Sequence, residues 1–207
     1  QFLDRMKEQL GDEYGAFLAS YEKESYAGLR VNTGKLTVEK FQTLAPFALR
    51  PIPWTGKGFY IGKTEQATKH PYYYAGLYYI QEPSAMLPAS RLPVQPGDRV
   101  LDLCAAPGGK ATELASRLEG RGLLVANDVS ASRAKALLKN LTMWGCTNFC
   151  VTAETPEKLL ARFGCFFDKI LVDAPCSGEG MFRKDSGLIS GWLERGPKEY
   201  AVLQKQI

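Results

Sequence analysis

The feature that most constrains the fold is a regular alternation of short apolar runs and helical patterns between residues 96 and 173. The apolar runs lie near Val100 and at 123–126, 149–152 and 169–172, and the helical patterns lie at 111–118, 131–144 and 157–162. Apolar runs of this length separated by helices are typical of parallel strands covered on both faces. The sequence therefore predicts a doubly wound α/β sheet, and we place its boundary with an N-terminal part near residue 80.

The N-terminal part has a different pattern. Residues 1–24 predict one or two amphipathic helices broken near Gly11 or Gly15, residues 28–33 a short strand, residues 37–44 a helix capped by Thr37, and residues 51–61 an irregular strand pair. We therefore expect a small α+β domain over 1–80. The second domain, over 81–207, begins with a short helix that Pro83 opens.

Composition excludes several classes of protein. The chain has 207 residues and no run of about 18 apolar residues, so no membrane span is predicted. The five cysteines form no Cys-x-x-Cys pair, which indicates a reducing, cytoplasmic setting and no zinc or redox site. The first residues lack an initiator Met and the pattern of a signal peptide, and are interpreted as a fragment boundary.

Basic and aromatic residues are concentrated in the N-terminal part, although the net charge is only +4. Six basic residues (Lys35, Lys40, Arg50, Lys57, Lys63 and Lys69) stand against Glu39 and Glu65, and eight aromatic residues lie between Trp54 and Tyr79. Such a mixture can stack on single-stranded nucleic acid and neutralise it. The alternative that the tyrosines fill a domain interface stays open, and His70 is expected to be a loop residue rather than a ligand.

The segment 99–110, Arg-Val-Leu-Asp-Leu-Cys-Ala-Ala-Pro-Gly-Gly-Lys, predicts a strand, a tight turn and the start of a helix. Gly108 and Gly109 would let backbone N–H groups at the helix N-terminus approach a ligand closely. The pattern is neither Gly-x-Gly-x-x-Gly nor a phosphate-binding loop, since Ala111 follows Lys110. Dinucleotides and nucleoside triphosphates are therefore disfavoured.

Acidic residues end three of the predicted strands, at Asp102, Asp128 and Asp173. The carboxyl ends of parallel strands line the ligand crevice of an open α/β sheet. Asp128 lies one helix and one strand beyond the glycine turn, where an acid commonly accepts hydrogen bonds from ribose hydroxyls. This pattern predicts a cofactor that contains a nucleoside, while the alternative is that Asp128 caps a helix starting at Ser130.

The segment 172–180, Val-Asp-Ala-Pro-Cys-Ser-Gly-Glu-Gly, places Asp173 and Cys176 at the mouth of that crevice. A lone cysteine is often a buried apolar residue, but one in a polar loop after a strand is a candidate for reactivity. A thiolate can add to carbon 6 of a pyrimidine, which makes carbon 5 able to attack a sulfonium methyl group. Protonated Asp173 could hydrogen-bond N3 of cytosine, which requires a raised pKa.

Several segments together carry a family resemblance. They are Gln-Glu-Pro-Ser-Ala-Met at 81–86, Leu-Asp-Leu-Cys-Ala-Ala-Pro-Gly-Gly-Lys at 101–110, Asn127-Asp128 with Ser132-Arg133, residues 172–185, and Leu-Arg-Val-Asn-Thr at 29–33. The chain resembles the Sun-type RNA 5-methylcytosine methyltransferases over nearly its whole length, and most closely the bacterial branch acting on small-subunit ribosomal RNA. The resemblance implies an N-terminal RNA-binding domain followed in the sequence by a Rossmann-like sheet that binds S-adenosylmethionine. It also implies ribosomal RNA or the small ribosomal subunit as partner, no metal, and a monomer when intact.

The resemblance also implies which residues act. The cofactor set is Cys104, Ala105, Ala106, Pro107, Gly108, Gly109, Lys110, Asp128, Arg133, Glu154 and Asp173. Glu154 stands in Thr-Ala-Glu-Thr at 152–155, where relatives often have an aspartate nearby. The catalytic set is Lys110, Asp173 and Cys176.

Enzymes of this kind use two cysteines, one in a Thr-Cys motif as nucleophile and one in Pro-Cys that helps to release the methylated product. Cys176 follows Pro175 and is therefore expected to be of the second kind, and the sequence contains no Thr-Cys dipeptide. We expect a C-terminally truncated sheet whose nucleophile lies beyond Ile207. Two alternatives stay open: Cys176 is itself the nucleophile, or the chain is a cofactor- and RNA-binding module without turnover.

Overall fold

The computed structural model describes residues 1–23, 26–62, 64–182 and 185–207. Contacts between residues divide it into two compact units, a smaller one of residues 1–25 with 176–201 and a larger one of residues 26–175 with 202–207. The domain boundary expected near residue 80 falls inside the larger unit, and the division at that point stays a prediction.

The helices and strands follow the order that the sequence predicts. The helices are α1 (Phe2–Leu10), α2 (Tyr14–Glu22), α3 (Val38–Leu44), α4 (Pro71–Tyr74), α5 (Leu87–Arg91), α6 (Gly109–Leu118), α7 (Ala131–Trp144), α8 (Pro156–Phe163) and α9 (Leu188–Gln206). The strands are β1 (Ala27–Val31), β2 (Arg50–Pro51), β3 (Gly58–Ile61), β4 (Tyr78–Ile80), β5 (Arg99–Asp102), β6 (Leu123–Asn127), β7 (Phe149–Thr152) and β8 (Lys169–Leu171). None of these helices is both long enough and apolar enough to cross a membrane within the described part of the chain.

The smaller unit is held by an aromatic cluster. The chain breaks between α1 and α2 at Gly11, where φ is 50°, as the sequence predicts. The ring of Phe2 packs edge-on against those of Phe182 and Trp192, with centroids 5.1 and 6.1 Å away. Glu179 accepts a hydrogen bond from the Trp192 indole at 2.7 Å and pairs with a guanidinium of α1, so the cluster is also fixed by charge.

The larger unit contains an antiparallel sheet of order β2-β3-β1-β4. Leu29 on β1 lies opposite Phe59 and Ile80 and is buried with Phe41 of α3. The Thr37 hydroxyl accepts a hydrogen bond from the Lys40 N–H at 3.2 Å, which confirms the predicted helix cap. These elements are the α+β part expected before residue 80.

The same unit contains a parallel sheet of order β7-β6-β5-β8. Val100 and Leu124 pack on one face against Leu114 of α6, whereas Leu101 and Val125 pack on the other face. This alternation confirms a doubly wound sheet covered on both sides. The chain winds from β5 towards β6 and later returns to β8 on the other side of β5, so β5 lies at the switch point where such sheets bind ligands.

Candidate cofactor site

The turn after β5 is fastened to both neighbouring strands. The Leu103 N–H donates to the carbonyl of Leu171 at 3.0 Å, and the Ala105 N–H donates to the carbonyl of Asn127 at 2.7 Å. Gly108 has φ 116°, and a Cβ there would lie 3.2 Å from the Leu137 side chain. Only glycine fits that left-handed position without strain, so the predicted strand, glycine turn and helix start are confirmed.

Gly109 begins α6 in close contact with the antiparallel sheet. A Cβ at Gly109 would lie 3.0 Å from the amide nitrogen of Gln81 and 3.3 Å from the ring of Tyr79. The backbone at this point is therefore packed from behind by residues around β4. Gln81 and Tyr79 thus hold the end of the turn in place.

Asp102 is a buried carboxyl group beneath the turn. Neither of its oxygen atoms has a hydrogen-bond partner of ordinary geometry among the described residues. Burial raises the pKa of Asp102 to about 7; Lys110 and the Cys104 N–H lower it in part, and the neighbouring acids Asp173 and Asp128 raise it. Two unpartnered buried acceptors are costly unless a donor from a ligand meets them.

Asp128 follows β6 and is connected to the turn through Arg133. Its carboxylate accepts the Ser130 N–H at 3.0 Å and lies 3.2 Å from the Arg133 guanidinium. The same guanidinium donates to the carbonyl of Ala106 at 3.0 Å. Ser130, not Asp128, is the residue that caps α7, with its hydroxyl accepting from the Arg133 N–H. The alternative of Asp128 as the helix cap is therefore wrong.

Lys110 and Asp173 form an ion pair across the edge of the sheet. Lys110 is mostly buried, whereas about half of the Asp173 side chain is exposed. The acid at this edge whose pKa burial raises is Asp102. The role of Asp173 as a hydrogen-bond donor to cytosine stays a prediction. The structure thus brings Asp102, Lys110 and Asp173 together at one edge of the sheet.

The two cysteines of interest differ in environment. Burial raises the pKa of the Cys104 thiol, and the carboxylates of Asp102 and Asp128 add to that rise, so Cys104 stays a thiol. Cys176 is exposed and belongs to the smaller unit. The thiol of Cys176 is therefore more accessible to a reacting group than that of the half-buried Cys104.

Glu154 contacts the site through its backbone only. Its carboxylate pairs with Lys158 at 2.9 Å, one helical turn further along the chain. Its N–H donates to the side chain of Asn127 at 3.0 Å, and its carbonyl accepts from the same side chain at 3.0 Å. No contact in the described part of the chain brings the carboxylate of Glu154 to the turn.

Sequence reasoning missed Asn127 as a structural residue of the site. The buried amide of Asn127 donates to the carbonyl of Leu103 at 3.1 Å as well as to that of Glu154, and its oxygen accepts from the Thr152 hydroxyl at 2.7 Å. One side chain therefore joins the ends of β5, β6 and β7. The available signal was an amide directly before the strand-end acid Asp128.

Sequence reasoning also missed the role of Arg30, a buried arginine on β1. Its guanidinium donates to the Gly109 carbonyl at 2.8 Å and to the Thr112 hydroxyl at 2.6 Å, and pairs with Glu113 at 2.9 Å. It also lies 4.8 Å above the ring of Trp144. A charged residue inside an apolar strand pattern was the signal for a buried partner on α6.

The basic and aromatic segment divides between core and surface. Phe59 and Tyr78 are buried, and the Tyr78 hydroxyl donates to the carbonyl of Ala67 at 2.6 Å. Tyr79 packs against Trp144 of the parallel-sheet part, whereas Tyr74 is exposed. Tyr79 and Trp144 both lie in the larger unit, so the interface alternative stays a prediction together with the division near residue 80, and Tyr74 is exposed to solvent.

The cations of this segment divide in the same way. Lys57 is mostly buried and pairs with Glu113 at 3.0 Å, whereas Lys40, Arg50 and Lys69 are exposed. Lys35 donates to the carbonyls of Ala75 and Met143, and Lys63 lies outside the described residues. His70 caps α4 by accepting the Tyr72 N–H at 3.2 Å, as expected of a loop residue.

Two family models match the chain. The N-terminal domain of 16S rRNA methyltransferase RsmF matches residues 1–83, and 16S rRNA methyltransferase RsmB/F matches residues 89–207. The chain belongs to the RsmB/F family. The ribosomal RNA small subunit methyltransferase F of Erwinia tasmaniensis is 39% identical over 218 aligned positions, which cover all of this chain and 45% of that relative. This member of the RsmB/F family therefore spans about half the length of the curated relatives it matches.

Two solved structures share the fold of this member of the RsmB/F family. The crystal structure of PH0851 has a TM-score of 0.91 at 28% identity, covering 99% of this chain and 47% of that one. A methyltransferase homologue from Pyrococcus horikoshii has a TM-score of 0.74 at 31% identity, covering 92% of this chain and 64% of that one. The resemblance found in the motifs and the Rossmann-like α/β fold are confirmed.

Proposed function

We propose that this chain binds S-adenosylmethionine at the turn 102–110 and serves the transfer of a methyl group to carbon 5 of a cytosine in ribosomal RNA. The observation that carries the proposal is the unpartnered, buried carboxyl of Asp102 beneath a glycine turn at the switch point of the sheet. Membership of a 16S rRNA methyltransferase family supports it. When bound, the cofactor supplies a methyl group on a sulfonium centre.

The residues present fit this cofactor. Asp102 offers two buried acceptors to an ammonium group, and Asp128 offers a fixed carboxylate to ribose hydroxyls. Arg133 holds Asp128 against the turn, and the backbone from Cys104 through Ala105, Ala106, Pro107, Gly108 and Gly109 to Lys110 forms the cradle. Glu154 would support the cofactor site through the hydrogen bond from its backbone N–H to Asn127 rather than through its carboxylate.

On the substrate side, we assign Lys110 and Asp173 to the mouth of the crevice and Cys176 to product release. The exposed thiol of Cys176 supports this assignment. Residues 1–80 would hold the RNA, whose target base must be unstacked to reach the crevice. Ribosomal RNA, free or in the small subunit, is the proposed partner of a monomer, and the cytoplasm is the proposed compartment.

Cofactor binding is tested by comparing Asp128→Asn with Asp168→Asn in isothermal titration with S-adenosylmethionine. Asp128 lies at the carboxyl edge of the parallel sheet, whereas Asp168 lies at its amino edge, paired with Arg99 at 3.0 Å. Loss of hydrogen bonds to a charged acceptor should weaken binding about tenfold to 100-fold in Asp128→Asn. Asp168→Asn should bind as the parent does, and equal affinities in all three proteins would refute the site.

Turnover is tested by incubating the chain with methyl-labelled cofactor and unmodified ribosomal RNA, with and without Cys176→Ala. If the parent methylates the RNA and Cys176→Ala does not, Cys176 is the nucleophile, and its assignment to product release is overturned. Methylation with trapped protein–RNA adducts in the variant would require a nucleophile other than Cys176 in this chain, and would support the assignment of Cys176 to product release. Cofactor binding without methylation in either protein makes the chain a binding module.

A further inference from the structure

A cleft of about 530 Å³ lies beside α6, and its lining includes no residue of the cofactor turn. Its charged lining consists of Lys57, Arg91, Glu113 and Arg117, and its wall includes the half-buried ring of Trp54. Lys57 comes from the loop before β3, Arg91 from the end of α5, and the other two from α6. Three elements that are distant in sequence thus direct cations into one cavity.

The charges around this cleft do not balance. Glu113 is buried, and three cations contact its carboxylate: Arg30 at 2.9 Å, and Lys57 and Arg117 at 3.0 Å each. Burial lowers the pKa of Lys57, and repulsion from Arg30 and Arg117 adds to this effect. Arg91 adds a further exposed cation, and the described lining contains no acid besides Glu113.

Cations held together at low exposure are costly unless an anion joins them. Both oxygen atoms of Glu113 are already engaged, and Arg117 also donates to the Ser90 carbonyl at 2.7 Å. The lining of the cleft holds three cations and one acid, so its net charge is positive. Arginine and lysine side chains next to an aromatic ring are the groups that hold a nucleic-acid backbone. The cavity therefore has the charge and the size for a phosphate group.

We propose that this cleft binds a phosphodiester group of the RNA substrate through Lys57, Arg91 and Arg117. The inference rests on the proposed function, and it names where part of the RNA backbone is held. Sequence reasoning assigned RNA contacts to residues 35–79, and of the three cations in the lining of the cleft only Lys57 belongs to that segment. The two arginines place this contact against the parallel-sheet part of the larger unit.

The test uses Arg91→Gln and Arg117→Gln in the full chain. Arg91 is exposed, and Glu113 keeps Arg30 and Lys57 as partners when Arg117 is replaced, so both variants should fold. Binding of a single-stranded RNA of 16S sequence is measured by fluorescence anisotropy over a salt series. Each variant should bind more weakly, with the slope of log K against log salt reduced by roughly 1.

Arg121→Gln is the matched control, because it removes the same charge just beyond α6. Arg121 is exposed and its partner is Glu119 at 3.4 Å, outside the cleft. If the parent binds RNA and both cleft variants behave as Arg121→Gln does, the cleft assignment is overturned while the proposed function stands. If the parent binds S-adenosylmethionine but no RNA at any salt concentration, the cleft assignment and the RNA substrate fall together.

Inorganic phosphate is the second probe. A rise in melting temperature with phosphate that occurs in the parent and is lost in Arg91→Gln would assign the cleft to a free phosphate ligand, provided that RNA binding is unchanged by the substitution. That result would overturn the RNA assignment. Weaker RNA binding in both cleft variants, with unchanged affinity for S-adenosylmethionine, supports it.

Discussion

At the scale of single residues, the buried carboxyl of Asp102 is proposed to bind the cofactor, and its burial lowers the stability of the fold at neutral pH. The carboxyl is buried without a hydrogen-bond partner of ordinary geometry among the described residues, and its pKa is raised from 3.8 to about 7. The folded protein therefore holds the Asp102 proton more tightly than the unfolded chain does. Stability falls as the pH rises from about 4 to about 7 and is constant with respect to this group above that range.

Replacing Asp102 with asparagine should remove this dependence. One pKa unit corresponds to about 1.4 kcal/mol. Between about pH 4 and 7, the free energy of unfolding of Asp102→Asn should therefore rise relative to that of the parent by up to about 1.4 kcal/mol for each pH unit. Urea unfolding over this pH range measures the difference. Asp168→Asn is the control, since Arg99 lowers the pKa of Asp168 to about 2 and its titration lies below this range. If the free energy of unfolding of Asp102→Asn and of the parent changed with pH in parallel, the raised pKa of Asp102 would be contradicted.

At the scale of secondary-structure elements, the antiparallel sheet fixes the N-terminus of α6. Arg30 of β1 donates to the Gly109 carbonyl, whereas Asn32 donates to the carbonyls of Gly76 and Trp144 at 2.8 and 2.7 Å. Both buried side chains connect the end of β1 to other elements, but only Arg30 contacts the cofactor turn. The two residues therefore form a matched pair for separating stability from positioning.

Arg30→Met and Asn32→Ala should both lower the melting temperature, with losses of about 3 and about 2 kcal/mol, since each leaves buried polar groups unpaired. Only Arg30→Met should also weaken binding of S-adenosylmethionine, measured by titration calorimetry. Arg30→Lys should recover stability more than affinity, because lysine restores charge but not the planar set of donors. Unchanged cofactor affinity in Arg30→Met would show that Arg30 has a structural role only.

At the scale of the whole molecule, the two sheets of the larger unit should unfold together. A Cβ on Gly76 would lie 2.1 Å from the Met143 carbonyl, so the backbones of the two parts are in contact as well as their side chains. Tryptophan fluorescence can report on each part in variants that keep one tryptophan each. Trp54 lies beside the antiparallel sheet, and Trp144 lies on α7. With Trp192 of the smaller unit replaced by phenylalanine, both signals should give one midpoint. An earlier transition at Trp54 would indicate an independently folding part before residue 80.

The sequence predicted the strands of the parallel sheet to within about one residue, because apolar runs bounded by glycine and charged residues reveal buried strands directly. It also predicted the glycine turn and the acids at strand ends, since these follow from where a strand stops. A charge inside an apolar strand, as at Arg30, indicates a buried partner, but no local pattern identifies which distant residue that partner is. Arg30 and Glu113 are 83 positions apart, and the sequence placed Lys57 among the cations that could neutralise nucleic acid.

The side chain of Asn127 has a consequence for the chemical ageing of the protein. Its amide nitrogen faces the carbonyl oxygens of Leu103 and Glu154. Deamidation would replace this donor with an oxygen of nearly the same size and would turn two hydrogen bonds into two repulsive contacts. A change that hardly alters the volume of one side chain would thus separate the three strand ends on which the cofactor turn rests.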